Sequence, residues 1–317
     1  MNEDETSDES VREAVERSRH GAPAVGAVVR DQFETHEVFQ RIIAAADEEA
    51  TTGVRELFFS GLAAGFSITV TFLLYASLTA STGGDPILSA LLYPLGFVFI
   101  VLGGYQLYTE NTLPPVVLVL ERLVSLPRLL FIWTVVLVGN FTGGGIGALV
   151  LARTGVFDEK TAKAATKIAQ KGYETPFWDL FFKAAFAGLI VAGVVWLIYA
   201  VRDSLSRLLI IYLAFLAIPF GNLFHVVVSF TEVTYLVFGG QAPLLPGLTS
   251  FVAPVLLGNT VGGSLLVTVV NYFQTTEERL DIARKGGPDR YLSGRELLFG
   301  ERAGRSYVPA DWSDDDQ

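Results

Sequence analysis

Of the three histidines in this chain, His20 and His36 fall in a polar front segment, whereas His225 stands inside an apolar run just after Pro219, Gly221 and Asn222. An ionisable side chain at such depth is costly and is a candidate for function by default. A neutral imidazole donates a hydrogen bond to a small anion, a charged one attracts it, and either state exchanges a proton near neutral pH. Thr109 lies in a second interrupted run, GGYQLYTENTLPP (Gly103 to Pro115), where its hydroxyl could bond His225, a permeating species or its own backbone. Glu110 and Glu232 suit anion passage less well; they read as helix terminators or as partners of a cation such as Lys183, and a cation route using these carboxylates stays open. Asn140 and Asn259 are mid-span amides that need partners, and unwound backbone supplies them, so bracing the two interruptions is their expected role. The chain has no cysteine, no HExxH, no phosphate-cradling glycine loop and no strand-borne GxSxG. No enzyme activity, metal or cofactor is expected.

These residues have to be held by membrane spans. Half the chain is hydrophobic (51%), only 18% is charged, and the mean hydropathy is +0.44, which describes a polytopic membrane protein rather than two soluble domains. Six apolar stretches come near the length of ~20 residues that crosses a ~30 Å hydrocarbon layer: Leu57 to Leu78, Pro86 to Leu120, Leu129 to Ala152, Phe177 to Val201, Leu208 to Phe238 and Leu248 to Phe273. The second and fifth are too long for one straight crossing, and each contains breaking residues, so broken helices are predicted there. Unwound backbone at that depth survives only where protein buries it or where it lines a wet cavity. The spans define a transport domain over 57–274, between an N-terminal segment 1–56 and a polar tail 275–317. In the front segment a helix-compatible stretch from Val25 to Ala50 repeats Val29, Phe33, Val38, Ile42 and Ile43 at helical spacing, which predicts a surface helix packed on its own protein.

An internal repeat organises the spans. Ala63-Ala64-Gly65 recurs as Phe186-Ala187-Gly188 at an offset of 123, Tyr108-Thr109-Glu110 as Phe230-Thr231-Glu232 at 122, and Gly139-Asn140-Phe141-Thr142-Gly143-Gly144 as Gly258-Asn259-Thr260-Val261-Gly262-Gly263 at 119. A duplicated three-span unit inserts its second copy from the opposite face, giving an all-α fold of two inverted repeats with a site at the midplane. The glycines also let helices approach closely in lipid.

Basic residues at Arg41, Arg55, Arg122, Arg128, Arg202, Arg207, Arg279, Arg284 and Lys285 share one side if there are six crossings, so both termini are expected in the cytoplasm of a cell membrane protein. The loop with Arg153, Lys160, Lys163, Lys167 and Lys171 runs against that rule, so five or seven crossings stay open. The net charge of −10 sits in acidic tails such as MNEDETSDES and DWSDDDQ, a composition suited to a salt-rich, halophilic cytoplasm.

Taken together, the broken second and fifth helices, GNTVGGSLLV (Gly258 to Val267), SGLAAG (Ser60 to Gly65) and the Phe224-His225 pair resemble the formate/nitrite transporters. The resemblance implies homopentamers whose protomers each have an aquaporin-like fold and their own pore for small monovalent anions such as formate, nitrite or hydrosulfide, with protons as possible companions. It makes His225 the central pore histidine and Thr109 the threonine of the loop in the broken second helix, and it places Leu107 and Phe224 at flanking apolar constrictions. Ser229 stands one turn after the histidine, where the family often has asparagine. Arg55 and Lys171 are the nearest matches to its cationic vestibule residues. The expected partners are those anions, protons, the lipid bilayer and four further copies of the chain; nucleic acid is not among them. Rival readings are a neutral-solute pore of aquaporin type and a non-conducting membrane scaffold.

Overall fold

The computed structural model describes Phe33 and residues 35–274 and 292–300, apart from the side chains of Thr35, His36, Leu266 and Gln274; His20 and the acidic tails lie outside these residues. All regular elements among them are helical. Helix α1 (Thr35–Thr51) precedes the first span, α2 (Val54–Ser81). The second crossing is broken as its composition predicts: α3 (Pro86–Ala90) and α4 (Pro94–Gly103) descend to a gap, and α5 (Pro114–Leu120) resumes after a 3₁₀ turn at Glu110–Thr112. Gly104 stops α4 by taking φ 67°, a left-handed conformation that glycine adopts without steric cost.

The third span is α6 (Leu126–Arg153). An amphipathic helix, α7 (Glu159–Tyr173), occupies the basic loop that follows, started by Asp158 accepting from the Thr161 amide at 2.8 Å. The fourth span is α8 (Phe177–Ala200). The fifth crossing is also broken: α9 (Ser204–Phe220) ends at Pro219–Gly221, Asn222 takes φ 54°, and α10 (Val226–Phe238) begins directly after His225. The sixth span, α11 (Leu244–Phe273), includes π-helical stretches at Leu248–Val252 and Val261–Val269. A short α12 (Gly294–Phe299) follows, and the Leu292 amide donates to the Arg122 carbonyl at 2.9 Å.

Close backbone packing builds the two halves. A Cβ on Gly65 of α2 would meet backbone of Asn140 and Gly144 in α6, and one on Gly143 would meet the Leu62 carbonyl. In the second half Gly188 of α8 lies against Asn259 of α11, and Gly262 against Ala185. With no solvent to squeeze apolar surfaces together inside a bilayer, helices associate through such close contact, which side chains larger than hydrogen would prevent.

Helix α1 covers only the later part of the helix-compatible stretch: it starts at Thr35, Phe33 precedes it, and Val29 lies outside the described residues. Val38, Phe39, Ile42, Ile43, Ala46 and Ala50 form one face and are all at most 2% exposed. Phe39 meets Trp196 and Tyr272 edge-on at 5.2 and 6.3 Å. At the C-terminal end of α1, Arg128 Nε donates to the Ala50 carbonyl at 2.9 Å, placing a cation where the helix leaves carbonyls unpaired.

Candidate functional site

Two asparagines hold the two interruptions with the same set of bonds. Asn140 Nδ2 donates to the carbonyls of Gly61 (2.9 Å) and Gln106 (2.8 Å), and its Oδ1 accepts from the Tyr108 amide (2.9 Å). Asn259 Nδ2 donates to Ala184 (2.8 Å) and Phe224 (3.0 Å), and its Oδ1 accepts from the Val226 amide (2.8 Å). Both side chains are fully buried. Each clamps the residues on either side of one central position and ties them to the first helix of its own half. The two bond sets match each other group for group.

This pattern corrects the register of the repeat in the broken helices. Gly61 corresponds to Ala184, 123 residues on, but Tyr108 corresponds to Val226, 118 residues on. The likeness of Tyr108-Thr109-Glu110 to Phe230-Thr231-Glu232 is thus not structural equivalence. The residue that mirrors His225 is Leu107, fully buried between Gln106 and Tyr108. Thr231 is matched instead by Thr112, since these two hydroxyls face Gly144 and Gly263 in turn.

At the centre, His225 is 1% exposed and its Nε2 lies 2.7 Å from Thr109 Oγ1. The ring meets Phe97 edge-on at 5.0 Å, and Phe97 stacks on Phe215 at 4.0 Å. Thr109 is held in turn: its carbonyl accepts from Thr112 Oγ1 at 2.7 Å, and the Thr112 carbonyl accepts from Thr268 Oγ1 at 3.1 Å and Ser264 Oγ at 3.3 Å. The π-helical register of Val261–Val269 brings both of those hydroxyls to one carbonyl, a common use of such stretches near functional sites. Tyr108 OH donates to Thr260 Oγ1 at 2.7 Å, because the proton of Thr260 goes to the Leu256 carbonyl. His225 Nδ1 and Ser229 Oγ, one helical turn apart, have no hydrogen-bond partner among the described residues. Whichever ring nitrogen carries the proton, one bonding position of the imidazole stays vacant.

A cavity of about 60 Å³ adjoins the ring, lined by His225, Ser229 and Glu232 from α10, by Lys171 from α7, and by Tyr75, Tyr93, Asn222 and Phe224. That is room for a small anion or a few waters. Lys171, not Lys183, is the cation that acts on Glu232. Lys183 instead sits with its Nζ 5.9 Å from the Phe224 ring. Arg55 is exposed and does not line the cavity. The spacing of 225, 229 and 232 was readable from the sequence; the approach of Lys171 depends on the folding of α7.

On the other side of the braces, Glu49 at the end of α1 accepts a hydrogen bond from the Gln106 side chain, whose own Oε1 accepts from Asn111 Nδ2 at 2.7 Å. Burial pushes the Glu49 carboxyl up to about 8, with the neighbouring Glu48 adding to the shift. The docked helix therefore binds this proton more tightly than an undocked one. Docking should be strongest in acid, below the ordinary carboxylate range, and should weaken as pH rises towards about 8. Hydrogen exchange of the α1 amides, corrected for intrinsic rates, should show more protection at pH 5 than at pH 8.5, and Glu49→Gln should reduce the difference. Equal protection of the wild type at both values would contradict this account.

Long apolar helices, two of the crossings broken and clamped around a buried imidazole with a cavity beside it, define a multi-pass membrane channel or transporter rather than an enzyme. Residues 36–273 match the profile of the formate/nitrite transporters, and the chain belongs to that family. It is 28% identical over 242 residues to the inner membrane protein YfdC of Escherichia coli (strain K12), across 75% of this chain and 77% of that one. Its fold is similar to that of a solved FNT family ion channel (TM-score 0.66, 21% identity, 77% of this chain and 100% of that chain). A pentameric formate channel with formate bound is also similar in fold (TM-score 0.60, 21% identity, 70% of this chain and 97% of that chain).

Proposed function

We propose that the protein passes small monovalent anions of the formate or nitrite kind across the cell membrane, by a route in each protomer that runs past His225. The observation that carries this reading is the buried imidazole, bonded to Thr109 across the two interruptions, with a bonding position unfilled and a cavity alongside. An anion leaving water for a low-dielectric passage loses its hydration, and a hydrogen-bond donor or a cation at the narrowest point offsets part of that cost. Leu107 and Phe224 supply the apolar narrowing on either side, and Ser229 adds a hydroxyl one turn away. Lys171 draws the anion to one mouth. Proton movement accompanies transport, and the imidazole is a hydrogen-bond partner for the substrate whether it arrives as the anion or as its acid.

The similar solved structure described as a pentameric formate channel supports a homopentamer as the working unit. Exposed Trp178, Phe182 and Phe186 form a ridge along α8, suited to lipid or to a neighbouring protomer. Both termini are assigned to the cytoplasm from the distribution of basic residues.

Uptake of labelled formate and nitrite into liposomes tests the reading, with glycerol as a neutral control and His225→Phe as the variant. The wild type should take up the anions and not glycerol. Without the imidazole, the cost of an unassisted charge in a membrane centre, about 2.5–3.5 kcal/mol, corresponds to roughly a hundredfold slower uptake. Selective glycerol uptake would favour a neutral-solute pore, and no flux of any solute would favour a scaffold. Unchanged, pH-independent anion uptake in the variant would remove the histidine from the mechanism.

A further inference from the structure

Glu232 is a difficulty for an anion route, because it lines the same cavity as His225 and is only 6% exposed. Ser229 and Glu232 stand on one face of α10 and His225 caps its start, so position 232 lies about 10 Å along the helix axis from position 225. Lys171 approaches it from α7, and the phenols of Tyr75 on α2 and of Tyr93 just before α4 complete the charged and titratable lining of the cavity. A permanent carboxylate here would repel the substrate and cancel the cation that attracts it. A carboxyl that carries a proton and can hand it over does neither.

We infer that Glu232 is the proton donor to the permeating weak-acid anion at the Lys171 mouth, so that the substrate goes on towards His225 as its neutral acid. The inference rests on the anion-transport reading above. Lys171 holds the incoming anion; the O–H bond of Glu232 breaks as the O–H bond of the substrate acid forms. Lys171 then faces the carboxylate left behind, which regains a proton from the solution at the same mouth. Charge in the cavity is unchanged by the step, and one proton travels with each anion.

The test follows formate uptake and internal pH together in liposomes between pH 5 and 7.5. Wild type should carry one proton per formate, faster in acid. Glu232→Gln, which keeps the shape and removes the proton, should lose tenfold or more of that uptake and flatten its pH profile, the residual flux following membrane potential. Glu232→Asp should retain the pH profile at a lower rate, which separates a proton donor from a merely structural carboxyl and serves if the glutamine variant fails to assemble. Glu232→Gln uptake within twofold of wild type with the same proton count would overturn the inference and leave anion transport standing. A loss in both variants with the pH profile unaltered would overturn it too, and wild-type liposomes that take up no formate would overturn the transport reading and this inference with it.

Discussion

Asn259→Leu is expected to lower the unfolding temperature of the detergent-solubilised protein by roughly 10 °C or more and to abolish transport. Leucine keeps the branched heavy-atom skeleton, though its methyl groups are bulkier than the amide atoms, and it removes all three bonds: the Phe224 carbonyl and the Val226 amide are left unpaired, and the Ala184 carbonyl keeps only its bond within α8. Water does not reach them at that depth. Each unpaired buried group costs about 1–3 kcal/mol, and at roughly 2–4 °C per kcal/mol for a chain of this size the sum exceeds what most helix contacts could offset. The segment from Phe224 to Val226 would be released, and with it the position of the His225 ring against Thr109. Thermal unfolding followed by circular dichroism checks the first effect and liposome uptake the second. A midpoint within two degrees of wild type would mean that the asparagine does not hold the break.

Gly262→Ala should have an effect of similar size for a different reason. A Cβ there falls inside contact distance of the Ala185 carbonyl and 2.9 Å from the Leu189 amide. Both obstacles are helix backbone, which cannot rotate away as a side chain would, so α8 and α11 must separate. Separation also strains the bond from Asn259 to Ala184. Loss of the assembled species on size-exclusion chromatography is the expected result. Gly145→Ala is the matched control: its nearest neighbour is the Phe230 ring at 3.6 Å, an ordinary contact. There the gain in helix propensity, up to about 1 kcal/mol, makes the substitution neutral or slightly stabilising. Equal behaviour of the two variants would refute the claim that backbone contact at Gly262 sets the helix spacing.

Much of this was legible before folding. Excess length and breaking residues gave away both interruptions, and apolar periodicity marked the buried face of α1. The paired Gly-Asn steps marked two mid-span amides in need of partners, and the carbonyls and amides they bond lie on either side of each interruption. The register of the second broken helix was misread because side-chain identity suggested an offset that the backbone does not use. A 3₁₀ turn and a differently spaced loop follow Leu107, and only the bonds from Asn140 reveal which residue stands opposite His225. Assigning a cation to Glu232 failed for a related reason. Lys183 is nearer the middle of the apolar sequence, but α7 folds back across the mouth and presents Lys171. The π-helical stretch Val261–Val269 left no trace in composition, because the contact it serves, Ser264 and Thr268 on the Thr112 carbonyl, joins residues 152 and 156 positions apart in the chain.

Each asparagine clamps the main chain before and after its central residue and makes no demand on the side chain between. Leucine occupies one of these two sockets and histidine the other, with the same bonds around both. The bracing bonds are therefore indifferent to the side chain they display, and either central residue can be exchanged without removing one of them.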